Sequence, residues 1–354
     1  MLIGAYGEAV AAGDRACSLA EMLGLPEPAR ALGYRGYARV YLGDEEGLDE
    51  MERGLSLLLE AGVGLEAAVL QNNLAIARYP LQGPSRSLDA FEAAIKFSEE
   101  RGLAGIAAFL GANCPALLTE LGRPDKATTR TAVLSAAYEG SGNAQDPCEV
   151  HASELALRLA RGEHASPDEI DWLIATARTV RHPEVTGLAL AVAAAALAPG
   201  EADRARLLLA ELERVEGFRK TPYYARELPG MGRTALVAGD VELAKRLVER
   251  LETRYPLEEH ALCAARAQLA EHAGGHAEAA ALYAEAAARW QEFGNVPERA
   301  YALLGRGRCL LALDEPGALE PLREARELFA SMGYQPALAE TDALLGQSAP
   351  AAAS

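Results

Sequence analysis

Glu298 to Gly333, ERAYALLGRGRCLLALDEPGALEPLREARELFASMG, reads as two helices folded back on each other. Tyr301, Leu304, Gly307 and Leu311 recur at spacings of three and four, one apolar stripe of a helix with 3.6 residues per turn. Pro316 and Gly317 break that helix, because proline donates no backbone hydrogen bond and glycine tolerates a turn. A second helix then sets Ala318, Leu322, Ala325 and Phe329 on one face, and Gly333 stands where a C-terminal glycine cap is expected. One hairpin of this size cannot bury both stripes. It needs a neighbour on each side, which is how a repeat protein is built.

The neighbours can be read upstream. Ala279, Tyr283, Ala286 and Trp290 repeat the same small, large, small, aromatic pattern. Ala244, Val248, Leu251, Tyr255 and Ala127, Thr131, Leu134, Tyr138 do so again, and looser copies start at Ala205, Ile170, Ser87 and Gly47. Successive starts at 47, 87, 127, 170, 205, 244, 279 and 318 are 35 to 43 residues apart. Alanine at two positions lets helix backbones approach, and the large side chain fills the gap between hairpins. No segment alternates with period two, so no sheet is expected. The reading is all-α: a right-handed α-solenoid of about eight hairpins over residues 1–346, with 347–354 a disordered tail.

These hairpins resemble tetratricopeptide (TPR) repeats, although that family's repeat is about 34 residues. Gly36, Gly232 and Gly307 occupy the family's small position in the first helix, whereas Leu310 stands where the family has a tyrosine. LEAAVLQNNLAIARYPLQGPSRSLDAFEAAIKFSEERGL (65–103) and GRGRCLLALDEPGALEPLREARELFASMG (305–333) also resemble the C-terminal helical tails of bacterial nucleotide cyclase/ATPase proteins and LuxR-type regulators.

Composition narrows the function. The net charge of −17 opposes binding to nucleic acid, whose affinity comes from neutralising phosphates with Lys and Arg. The five cysteines show no CxxC spacing and read as free thiols of a reducing compartment. No stretch has the shape of a signal peptide, and TGLALAVAAAALAPG (186–200) is shorter than the roughly 18 residues of a membrane span. A cytoplasmic protein with no membrane contact is expected. Phosphate-loop, nucleophile-elbow, zinc-protease and dinucleotide signatures are absent. No catalytic residue, metal site or cofactor is assigned. His272 and His276 are four apart, but Gly274 and Gly275 lie between them.

Along the chain, turns are expected at Gly13-Asp14, across Pro80 to Pro84, at Cys114-Pro115 and at Pro229-Gly230, and Ser166-Pro167 should cap a helix. The segment Met1 to Ala12 has Glu8 as its only charge. That end is expected to be an interface for an earlier hairpin, a fused effector domain or a second copy of the chain.

The resemblance to TPR stacks implies that the first helix of each pair lines a concave groove. Carried over from Gly36, Gly232 and Gly307, the exposed positions are Tyr37, Arg233 and Arg308, with Arg30, Arg226 and Tyr301 one or two turns earlier. Tyr41 lies one turn beyond Tyr37, and Asn72 is the counterpart in the third pair. Tyrosine and arginine dominate binding hot spots. The same side chains can equally pack at hairpin edges, with each arginine paired to a nearby acid. The expected function is a non-catalytic protein-interaction or regulatory module, the C-terminal part of a bacterial signalling or transcription-regulatory protein. The alternative is a sensor holding a small molecule or peptide in the groove and gating a fused cyclase, ATPase or DNA-binding domain.

Overall fold

A computed structural model describes residues 5–138, 145–249 and 251–347. The described residues form helices joined by turns, with no strand among them. In chain order the helices are α1 (Tyr6–Met22), α2 (Ala29–Tyr41), α3 (Gly47–Glu60), α4 (Gly64–Glu99), α5 (Ala104–Gly111), α6 (Cys114–Glu120), α7 (Pro124–Tyr138), α8 (Gln145–Ala160) and α9 (Pro167–Thr179). They continue as α10 (Pro183–Leu197), α11 (Ala202–Leu212), α12 (Pro222–Val237), α13 (Val241–Val248), α14 (Pro256–His272), α15 (His276–Phe293), α16 (Val296–Ala312), α17 (Leu319–Met332) and α18 (Gln335–Gln347). Two compact units emerge. The first comprises residues up to Leu117 together with Thr253–Pro256, and the second Leu118–Glu252 with the chain from Leu257 on.

The repeating pattern is the core. Ala279, Tyr283, Ala286 and Trp290 in α15 are buried, as are Leu322, Ala325 and Phe329 in α17. The small first-helix positions are close-contact sites. A Cβ at Gly307 would come within 2.4 Å of Leu322, and one at Gly36 within 2.4 Å of the Gly47 carbonyl oxygen, so only glycine lets these helices approach. Ion pairs tie one repeat to the next. Asp171–Arg204, Arg178–Glu211 and Glu213–Arg246 each join residues 33 apart, linking α9 to α11 and α11 to α13.

Several boundaries differ from the sequence reading. α1 runs through Gly13-Asp14 without turning, because this pair is a packing site: Gly13 abuts the Arg35 side chain, and Arg35 Nη1 donates to Asp14 Oδ1 at 2.9 Å. The break at Pro80 to Pro84 is one residue long. Gly83 alone leaves helical geometry, at φ 83° and ψ 176°, and the Ser87 hydroxyl donates to the Ala75 carbonyl across the bend at 2.8 Å. α12 continues through Pro229 and Gly230, held by the buried Leu228 and Met231 and by Gln268 Nε2, which donates to the Pro229 carbonyl at 3.1 Å.

The copy at Ala244 is truncated, and α13 ends at Val248. Its last carbonyls take side-chain donors instead of a further helical turn. Tyr224 Oη donates to the Leu247 carbonyl at 2.6 Å, and Arg219 Nη1 donates to that of Glu249 at 2.6 Å. Leu251 and Tyr255 lie beyond the helix. After the α17 cap at Gly333, φ 70°, a helix the sequence reading did not separate, α18, follows, and Arg326 reaches from α17 to Asp342 on it at 2.6 Å. α18 includes Gln347, the first residue of the expected tail, while 348–354 and the apolar Leu2 and Ile3 lie outside the described residues. Ser166 caps α9 as expected, accepting from the Glu169 amide at 3.2 Å. No helix among the described residues is long and apolar enough to cross a membrane.

Candidate functional site

In the second unit, the first helices of successive pairs meet around one cleft. α12 supplies Arg233, α14 supplies Gln268 and Glu271, α16 supplies Glu298, Tyr301 and Arg308, and α18 supplies Glu340; the cleft holds about 380 Å³. Each arginine is fixed by carboxylates. Arg233 makes two parallel hydrogen bonds to Glu298, Nη1 to Oε2 at 2.8 Å and Nη2 to Oε1 at 2.6 Å. Its guanidinium also lies over the Tyr301 ring, 4.1 Å from the centroid, and Tyr301 packs edge-on to Phe329 at 5.1 Å. Arg308 donates from Nε and Nη2 to Glu271 at 2.8 and 2.9 Å and from Nη1 to Glu340 at 2.6 Å. Tyr283 Oη adds a third bond to Glu271, at 2.6 Å.

The electrostatics follow from this packing. Burial would raise the Glu271 carboxyl, but the Arg308 guanidinium bonded to it holds it below the ordinary carboxylate range. Tyr283 goes the other way: burial first, and the adjacent Glu271 charge second, push its phenol up. Glu227, nearly two turns before Arg233 on α12, is raised chiefly by burial.

Of the residues expected from sequence, Arg233, Tyr301 and Arg308 converge here. Arg226 lies two turns earlier on α12, with Nε 2.8 Å from Glu120 and 3.6 Å from Glu227. The others are in the first unit. Arg30 is exposed, 3.8 Å from Glu66, and borders a cleft of about 250 Å³ with the exposed Tyr34, Leu65 and Val69. Tyr37 Oη donates to Tyr41 Oη at 3.0 Å. Tyr41 is buried between Tyr6 and Tyr37, with ring centroids 4.8 and 4.7 Å away, and its carbonyl accepts from Arg254. Asn72 is buried and donates to Asn73 Oδ1 at 3.2 Å.

Sequence reasoning named the arginines and missed their carboxylates, Glu271, Glu298 and Glu340. A usable signal existed. Glu271 and Glu340 lie 37 residues before and 32 residues after Arg308, one repeat step on either side.

No protein-family model matches the chain, and no curated protein matches it. Among solved structures it is similar to a circular tandem repeat protein with novel repeat topology and enhanced subunit contact surfaces, at 14% identity over 96% of this chain and 90% of that one. The TM-score is 0.25, and no structural argument rests on the likeness.

Proposed function

We propose that the chain is a TPR-like, right-handed solenoid of about eight hairpins acting as a non-catalytic interaction module in the cytoplasm. On this reading it is the C-terminal part of a bacterial signalling or transcription-regulatory protein, and it recognises a peptide segment in the second-unit cleft. The observation that carries the reading is the set of guanidinium–carboxylate pairs that fix the cleft wall. Arg233, Arg308 and Tyr301 are immobilised by their neighbours before any partner arrives. A segment laid across them orders few side chains on binding, and that saving is what preorganisation contributes to affinity. Arginine and tyrosine at the centre of a cleft are also the usual anchors of binding energy.

The test is selection of short random peptides against the intact chain, with counter-selection on Val237→Trp. Val237 lines the cleft and is exposed, so a tryptophan there fills it without disturbing the core. Peptides that bind the chain and not the variant support the reading. Recovery of none, or only of peptides that bind both equally, contradicts it. The cleft volume also falls in the range of small-molecule sites. The sensor alternative is therefore tested in parallel by calorimetric titration with ATP and GTP in the presence of Mg²⁺. Micromolar binding of either would favour the sensor over the peptide module.

A further inference from the structure

The cleft is short of positive charge. Three carboxylates, Glu271, Glu298 and Glu340, face two guanidiniums, Arg233 and Arg308. Further along α12, Arg226 is shared between Glu120 and Glu227. His272 is the remaining titratable group in the lining besides the two tyrosines, and Arg161, whose charge reaches nearby Tyr334, is committed to Asp125. Glu298 spends both oxygens on Arg233, and Glu271 spends both on Arg308. Glu340 differs. Only its Oε1 is taken, by Arg308 Nη1, and its side chain is 47% exposed.

A second acceptor in the same wall also lacks a donor. Gln268 is 7% exposed, and its Nε2 donates to the Pro229 carbonyl, which fixes the amide so that Oε1 faces Gly232. That Oε1 has no hydrogen-bond partner. A buried acceptor without a donor is costly, whereas an arriving N–H recovers the cost. The carboxylate surplus asks for a cation and the amide oxygen for a hydrogen-bond donor, and a guanidinium or alkylammonium group is both.

Resting on the peptide-binding reading, we propose that the cleft takes a cationic side chain, guanidinium or alkylammonium, of a basic peptide, with the open oxygen of Glu340 as its principal acceptor. The partner is then a Lys- or Arg-bearing segment. An acidic segment would add charge to a wall that already has a surplus of it.

Fluorescence anisotropy on the full chain tests this with three labelled peptides, alternating Arg-Gly, Gln-Gly and Glu-Gly. Glu340→Gln removes the surplus charge while leaving Arg308 paired with Glu271. Glu320→Gln, at an exposed position on α17, removes the same charge elsewhere. The Arg-Gly peptide should bind, and Glu340→Gln should weaken it about tenfold, the size of one charge-assisted hydrogen bond. Glu320→Gln should weaken it less than twofold. Equal weakening by both substitutions would mean general attraction to an acidic chain and overturn the inference, as would binding of the Glu-Gly peptide equal to that of the Arg-Gly peptide. Cleft-dependent peptides that are selected yet lack basic residues would overturn this inference and leave the peptide-binding reading standing. Absence of any cleft-dependent peptide removes both.

Discussion

Arg233 and Glu298 are 65 residues apart and joined by two parallel hydrogen bonds of 2.8 and 2.6 Å. That separation is about two repeat steps, so α12 reaches past the intervening hairpin to α16. The side chains of these two alternate first helices therefore meet directly. α18 also contacts α8, and just beyond α8 a Cβ at Gly162 would lie 3.4 Å from Gln335.

Removing one member of this pair should cost more than removing both. Glu298→Leu leaves Arg233 partly buried without its carboxylate, and the expected loss is about 3 kcal/mol, the low end for a broken buried pair because Arg233 is 30% exposed. Arg233→Met with Glu298→Leu should recover most of that loss. Urea denaturation of the two single variants and the double variant gives the coupling, and additive losses would show that the pair does not join the two helices.

Trp290 is 1% exposed and packs edge-on against His260 and Phe293 at 5.5 and 5.9 Å. Trp290→Ala should destabilise by about 3–5 kcal/mol. A loss below about 1 kcal/mol in chemical denaturation would place the repeat register elsewhere.

Gly307 separates α16 from α17. Gly307→Ala sets a methyl group 2.4 Å from Leu322, which is itself fully buried, so the Leu322 side chain or the hairpin must shift. The expected cost is about 1–3 kcal/mol despite alanine's better helix propensity. A gain in thermal stability would mean the two helices are not in contact at this point.

His260 makes stability depend on pH. Burial, and then the Arg289 charge, lower its pKa to about 4, against about 6.5 in an unfolded chain. Between these values the unfolded chain carries a proton that the native one declines, so stability falls as pH drops from 6.5 toward 4 and is unaffected by this group above 6.5. The contribution is about 3 kcal/mol across the window. Comparing the wild type with His260→Gln by denaturation at several pH values should show this slope lost in the variant. Identical slopes would contradict the assignment.

The helices and their apolar stripes were legible because burial follows the 3.6-residue period wherever hairpins stack, as in α15 and α17. Turns were less legible. Gly-Asp and Pro-Gly pairs look alike in sequence whether they face solvent or a neighbouring helix. Gly13-Asp14 and Pro229-Gly230 stay helical because Arg35 and Gln268 pack against them. The early end of α13 depends on Arg219 and Tyr224, more than twenty residues away, which no local pattern encodes. The site was half legible. The resemblance to TPR stacks pointed to Arg233, Tyr301 and Arg308, but only the packing of α12, α14, α16 and α18 shows that they share one cleft, while Tyr37 and Tyr41 belong to a different aromatic cluster.

The central claim is that the second-unit cleft binds peptide. Isothermal titration of the intact chain with a selected peptide, in parallel with Val237→Trp, tests it most directly. One site per chain is expected, with affinity falling at least tenfold in the variant while the far-UV circular dichroism of the two proteins is the same. Equal affinity for both proteins would place the binding outside the cleft and contradict the account.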